Sequence, residues 1–178
     1  MATIILVTGG ARSGKSDYAQ KKAESCEGPH CFIATGVVVD QEMEERIALH
    51  RKKREAHIWD TIEEPVDLLT VFKNETGYRT YLVDCLTLWV SNLMQHAHEN
   101  KRDFDETAVS RNIEDILGQL EHCQATVIFV TNEVGMGIVP EHAVARRYRD
   151  LIGRCNRIIA DAADEVILVS CGLPLFLK

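Results

Sequence analysis

Apolar, β-branched runs recur along the 178-residue chain and set its rhythm. Ile4-Ile5-Leu6-Val7-Thr8 is the first. Cys31-Phe32-Ile33-Ala34, Thr80-Tyr81-Leu82-Val83-Asp84, Thr126-Val127-Ile128-Phe129-Val130 and Val166-Ile167-Leu168-Val169 follow. Each is apolar at successive positions rather than alternating, the pattern of parallel strands covered by helices on both faces. Between these runs the period changes to that of a helix. Ser16–Glu24, Glu42–Arg54 and Leu86–His98 read as helices. Thr107–His122 places Ile113, Ile116, Leu117 and Leu120 on one face. Glu141–Ala163 does the same with Val144, Tyr148, Leu151, Ile152, Cys155, Ile158 and Ile159. Strand and helix in alternation predict an α/β fold with a mostly parallel sheet. The tail differs: Val166–Ser170, Cys171-Gly172 and Leu173–Lys178 read as a C-terminal antiparallel hairpin, in which Pro174 requires an edge position. There is no internal repeat, low-complexity tract or linker, so residues 1–178 are expected to form a single domain.

Composition narrows the partners. Hydrophobic residues make up 46% and charged residues 26%, the balance of a globular protein. A formal net charge of -7 argues against nucleic acid as the main partner, which needs a basic footprint. A small anion needs only a local cluster of positive charge. The six cysteines form no C-x-x-C pair, and several lie in apolar runs, so they are expected to be reduced core thiols of a cytoplasmic protein. Met1-Ala2-Thr3 has no positive side chain and the run after it ends at Gly9, so no secretory signal is expected. No stretch reaches the roughly 20 apolar residues of a membrane span.

The chemistry begins directly after the first strand. Gly9-Gly10-Ala11-Arg12-Ser13-Gly14-Lys15-Ser16 matches the complete phosphate-loop pattern between a buried strand and a helix. Its glycines let the backbone turn and approach phosphates without a Cβ in the way. Successive N–H groups and the helix N-terminus then face the anion. Lys15 brings a positive charge to the outer phosphates, and Ser16 a hydroxyl ligand for Mg²⁺. Asp84, at the end of the Tyr81–Val83 run, is the candidate acid that holds the metal through water; a helix N-cap is the competing role.

Two further segments suggest more than a simple kinase. On a helix, Met43, Ile47, His50 and Arg54 share one face, which sets His50 in a basic turn made by Arg51, Lys52, Lys53 and Arg54. Neighbouring cations disfavour the imidazolium, and a neutral imidazole beside phosphate-binding cations is able to attack phosphorus. The same segment also reads as a solvated helix, acidic at its start and basic at its end, matched to its dipole. The second segment, Thr131–Pro140, leaves a central strand where open α/β sheets place ligands; Asn132 and Glu133 are within reach of a metal, substrate or nucleotide there, or the segment is a plain turn. No N-K-x-D motif for reading guanine is present.

Taken together, ILVTGGARSGKS at 5–16, IATG at 33–36, RIALHR at 46–51, TIEEP at 61–65, LVDCLTLWVSNL at 82–93, VTNEVGMGIVP at 130–140 and ADEVILVSCGLPLFLK at 163–178 resemble the bifunctional adenosylcobinamide kinase / adenosylcobinamide-phosphate guanylyltransferase family of cobalamin biosynthesis. The resemblance implies a P-loop NTPase domain with a RecA-like core and a homotrimer. It implies phosphorylation of adenosylcobinamide with ATP or GTP, then transfer of GMP from GTP through a guanylylated histidine, which here corresponds to His50. The nucleotide contacts it implies are Gly9 to Ser16, Ala34, Thr35, Gly36, Arg51, Lys52, Lys53, Arg54, Glu63 and Asp84, with Mg²⁺ at Ser16 and Asp84. Two departures from the family pattern are Glu55, where proline often follows the arginine, and Arg157, where glutamine is common. The residues by themselves leave a simple small-molecule kinase, without covalent nucleotide transfer, as the alternative.

Overall fold

A seven-stranded sheet in the order β3-β2-β4-β5-β1-β6-β7 forms the centre of the chain. This computed structural model describes residues 1–38, 41, 45, 48, 59–74 and 76–178. The strands are β1 (Thr3–Gly9), β2 (His30–Ala34), β3 (Trp59–Glu63), β4 (Thr80–Asp84), β5 (Thr126–Val130), β6 (Glu165–Ser170) and β7 (Leu173–Phe176). The helices among the described residues are α1 (Lys15–Glu24), α2 (Leu68–Asn74), α3 (Leu86–Glu99), α4 (Glu106–Leu120) and α5 (Ala143–Ala162). Every strand pairing is parallel except β6 with β7. The expected α/β architecture with a parallel sheet and a C-terminal hairpin is therefore the observed one.

The two faces of the sheet are covered separately. One apolar cluster joins Leu6, Ile33, Val83 and Phe129 to Trp89 and Val90 of α3, Ile113 and Ile116 of α4, and Leu151 and Ile152 of α5. The other joins Ile5, Val7, Leu82, Ile128 and Val130 to Ala19 and Ala23 of α1. This is why β1, β4 and β5 are apolar throughout: each buries both sides. Cys31, Cys85 and Cys155 sit in this core, and all six cysteines are free thiols. The tight turn of the hairpin falls on Cys171 (φ 53°) and Gly172 (φ 77°), the paired positive angles of the two-residue connection that matches strand twist. Pro174 lies on β7 at the sheet edge, opposite Val169, where its missing N–H breaks no inner ladder.

Three features depart from the sequence reading. Trp59–Glu63 is an edge strand to which the sequence assigned no element; only Trp59 and Ile62 are even partly covered, so no apolar run announced it. The short helix α2 buries Leu68, Val71 and Phe72 and was not anticipated. Val144, expected on the core face of α5, is 72% exposed, because the first turn of that helix overhangs the core that Leu151 onward packs. Of the expected helix at 42–54, only Glu45 and Ala48 are among the described residues, and both are helical.

Candidate active site

The phosphate loop forms where β1 ends against its neighbours. A Cβ built on Gly9 falls 2.4 Å from the Val169 carbonyl oxygen and 2.6 Å from Ser13 Oγ, so only glycine fits. Gly14 takes φ 89°, and a Cβ there meets the Cα of Gly172 at 3.1 Å. Gly14 is the N-cap of α1 and has no side chain to cap it. A helix start without a side-chain cap is the arrangement in which backbone N–H groups receive an anion. Lys15 is buried, and its Nζ donates to the Gly10 carbonyl at 3.1 Å, arching across the loop it serves. Ser13 N–H donates to Gly10 O at 3.3 Å. Gly172 N–H donates to Ser13 O at 2.8 Å, which ties the C-terminal hairpin to the loop. Ala11 and Arg12 are exposed on the outer curve, with Arg12 left-handed at φ 56°.

Strand register lines up the other candidates. Glu63 pairs with Ala34, Ala34 with Asp84, Asp84 with Val130 and Val130 with Val7. Glu63, Ala34 and Asp84 therefore stand in one row along the carboxyl edge of the sheet, the edge from which the phosphate loop departs. At about 4.8 Å per strand, Asp84 lies roughly 10 Å from the β1 line and Glu63 roughly 19 Å. In open parallel sheets ligands bind at this edge. Asp84 is half-buried. Burial raises the pKa of the neighbouring Cys85 thiol, the Asp84 carboxylate raises it further, and the Lys15 ammonium opposes both. The N-cap of α3 is Cys85 rather than Asp84, which removes the competing role for this acid.

Thr35 plays a part that no local pattern announced. Its hydroxyl donates to Cys85 O at 2.7 Å and accepts from Cys85 N–H at 2.8 Å, and its side chain is fully buried. Asn92 donates to Thr35 O at 2.8 Å and to Pro65 O at 3.0 Å. Thr35 thus clamps the end of β2 to the end of β4, while half-buried Gly36 follows it at the mouth of the site. The partners are 50 residues apart, so no spacing in the chain reveals the clamp.

The loop after β5 is fastened to the same place. Glu133 N–H donates to Gly9 O at 3.1 Å, and Thr131 N–H donates to Val7 O at 2.9 Å. Asn156 of α5 holds the loop from behind: its Nδ2 donates to Asn132 O at 3.2 Å, and its Oδ1 accepts from the Thr131 hydroxyl at 2.7 Å. The Glu133 carboxylate accepts from Gly135 N–H at 3.0 Å. Asn132 Oδ1, Thr8 Oγ1 and Ser13 Oγ are buried without a hydrogen-bond partner. Buried oxygens of this kind cost about 1–3 kcal/mol each when unmet. Their grouping around one loop, with the Ser16 hydroxyl and the Asp84 carboxylate, is a set of hard oxygen donors. That chemistry suits Mg²⁺ with a nucleotide and suits no soft metal. His50 and Arg51 to Arg54 lie outside the described residues.

Comparison with known proteins gives a consistent result. Residues 5–177 match the family model described as cobinamide kinase / cobinamide phosphate guanyltransferase. The chain is 41% identical to the bifunctional adenosylcobalamin biosynthesis protein CobU of Salmonella typhimurium, covering 98% of this chain and 99% of that one. It is 39% identical to the protein of the same description from Escherichia coli, with the same coverage. The corresponding protein CobP of Pseudomonas aeruginosa is 38% identical over 97% of this chain and 96% of its own. Among solved structures, a prototypical ATPase from the type III secretion system of pathogenic bacteria superposes with a TM-score of 0.61 over 98% of this chain and 56% of its own, at 12% identity. That likeness concerns the fold alone, and it is the RecA-like arrangement the resemblance implied.

Proposed function

Because the chain belongs to the cobinamide kinase / cobinamide phosphate guanyltransferase family, we propose that both of its transfers run through one nucleotide site at the carboxyl edge of the sheet, with His50 carrying GMP between them. The chain is a bifunctional enzyme of cobalamin biosynthesis, a cobinamide kinase and a cobinamide phosphate guanylyltransferase.

In the kinase step the hydroxyl oxygen on the aminopropanol arm of adenosylcobinamide attacks the γ-phosphorus of ATP or GTP. The bond to the bridging oxygen breaks, the nucleoside diphosphate leaves, and the hydroxyl proton is lost to solvent or base. Gly9 to Ser16 hold the phosphates through backbone N–H groups, and Lys15 meets the charge that gathers on the leaving oxygen. Ser16 and, through water, Asp84 are the residues that would hold Mg²⁺, whose contribution when bound is to neutralise phosphate charge.

In the transfer step an imidazole nitrogen of His50 attacks the α-phosphorus of GTP. A P–N bond forms and pyrophosphate leaves. A phosphate oxygen of adenosylcobinamide phosphate then attacks the same phosphorus, the P–N bond breaks, and the product is adenosylcobinamide-GDP with free His50. Division of the transfer into two displacements avoids bringing two polyanions together at once. Arg51, Lys52, Lys53 and Arg54 supply positive charge to the phosphates beside His50, and Glu63, Ala34 and Gly36 line the nucleoside end of the row.

The observation that carries this reading is the row Glu63–Ala34–Asp84 leading to a loop in which Gly9 and Gly14 admit no side chain. We further propose a cytoplasmic homotrimer, in line with the free thiols and with the exposed apolar side chains of Met136, Ile138, Leu173 and Phe176, which a neighbouring subunit would cover. The test of the covalent step is incubation with α-labelled GTP and Mg²⁺. An acid-labile label on the protein that disappears in His50→Ala is expected; label retained in that variant, or none on the wild type, overturns the assignment.

A further inference from the structure

Between α3 and the first turns of α5 lies a cleft of about 700 Å³ that neither the phosphate loop nor the nucleotide row uses. We propose that this cleft seats the corrin ring of the acceptor, so that cobinamide and nucleotide approach the sheet edge from its two opposite faces; the proposal rests on the bifunctional reading given above.

The faces differ in what they offer. The phosphate-loop helix α1 packs on one side of the sheet, and α3 and α5 pack on the other. A kinase needs its acceptor oxygen within about 3–3.5 Å of phosphorus, in line with the leaving group, so the two substrates must meet without sharing a pocket. The cleft lies against α3 and α5, on the face opposite α1. α3 starts at Leu86, directly after Asp84 and Cys85, and rises about 1.5 Å per residue. Its lining residues Ser91 to His98 therefore lie roughly 8–18 Å along the helix from the catalytic edge. A large ring held there keeps its distance from the phosphates, while its aminopropanol arm extends to the edge.

The lining matches a corrinoid, which has apolar faces and a fringe of neutral amides. Met94, Phe104, Val144 and Tyr148 form apolar wall, and Gln95 and His98 bring hydrogen-bonding groups. Val144 is 72% exposed at a position whose periodicity assigns it to the core. Its role in the cleft explains an apolar residue kept where the fold leaves it bare. Arg147 is paired with Asp103 and donates to Phe104 O at 2.7 Å, so its charge is balanced within the wall. Arg102 adds one further cation to a lining that is otherwise apolar or hydrogen-bonding, a mixture that suits the apolar faces and amide fringe of a large ring.

The cleft is also mechanically joined to the catalytic edge. Tyr148 donates its hydroxyl to Thr87 O at 3.1 Å, and the Thr87 hydroxyl lies 2.9 Å from Cys85 Sγ, one residue from Asp84. Burial pushes the Tyr148 phenol up to about 12, so it remains a donor throughout the working range of pH.

The experiment uses Ser91→Trp, which fills the cleft from an exposed position, and Val144→Glu, which puts charge on its apolar wall. Each is assayed for cobinamide phosphorylation, nucleotide KM and melting temperature. The proposal predicts a rise of about tenfold or more in the KM for cobinamide, with nucleotide KM changed less than about twofold. A cobinamide KM within about twofold of wild type in both variants, at full wild-type turnover of cobinamide, overturns the cleft assignment alone. Absence of cobinamide turnover by the wild-type chain overturns the bifunctional reading and the assignment with it. If one variant fails to fold, the other decides.

Discussion

Replacement of Gly9 by alanine is the sharpest structural test of the phosphate loop. The added methyl meets a backbone carbonyl, Val169 O, at 2.4 Å and Ser13 Oγ at 2.6 Å. Both are about an ångström inside normal contact. Ser13 has a short side chain with little room to turn, and Val169 belongs to β6, which is hydrogen-bonded to β1 in register from Ile5 to Gly9. Relief therefore requires the loop to move away from β6. Overpacking of this kind costs about 1–3 kcal/mol. For a domain of this size each kcal/mol lowers the melting temperature by about 2–4 °C, so a fall of roughly 2–12 °C follows. The displaced loop also loses its alignment with phosphate, so nucleotide affinity falls by about tenfold or more. Thermal unfolding of the unliganded protein and equilibrium titration with GTP measure the two effects. Gly10→Ala is the control for unfolding, since a Cβ there has nothing within 4 Å. A Gly9→Ala variant as stable as Gly10→Ala, with wild-type GTP affinity, would refute the argument.

Thr35→Val removes both hydrogen bonds to the Cys85 backbone while nearly preserving volume. Cys85 O keeps its bond from Trp89 N–H, so only the Cys85 N–H is left unmet; this costs about 1–3 kcal/mol and loosens Asp84, so both stability and kinase turnover drop, and unchanged unfolding by urea would contradict the clamp. The Arg147 guanidinium, first through its hydrogen bond and then through its charge, holds the Asp103 carboxyl below its ordinary value of 3.8. A depressed acid contributes stability above the unfolded pKa and loses it as pH falls through the lower folded value. Melting temperature should thus decline more steeply below about pH 4 in the wild type than in Asp103→Asn, and equal slopes would show that the pair does not couple to folding.

The parts of this molecule that could be read from its sequence are those whose cause is local. β1, β4 and β5 bury both faces, so their residues are apolar throughout and the runs stand out. The phosphate loop is contiguous and its motif is complete in one stretch, although Gly9 and Gly14 also answer to Val169 and Gly172 of the C-terminal hairpin. β3 escaped notice because an edge strand with exposed Asp60, Thr61 and Glu63 carries no apolar signal. Val144 misled because helical periodicity tells which residues share a face, not where along the helix the core ends. The Thr35–Cys85 clamp and the hold of Asn156 on Thr131 and Asn132 join residues 50, 25 and 24 positions apart, and only the folded topology brings them together. The helix-cap role that the sequence leaves open to Asp84 falls to Cys85.

In the proposed mechanism one phosphate loop serves both transfers. Lys15 is the residue to ask, since its ammonium sits buried and reaches across the loop to the Gly10 carbonyl. The direct measurement is a parallel assay of Lys15→Met: phosphorylation of cobinamide with γ-labelled nucleotide, and protein labelling with α-labelled GTP. A shared site predicts that both rates fall together, by about 10²–10³-fold. Loss of the kinase rate with covalent labelling at the wild-type rate would place the two nucleotides in different sites and contradict the account.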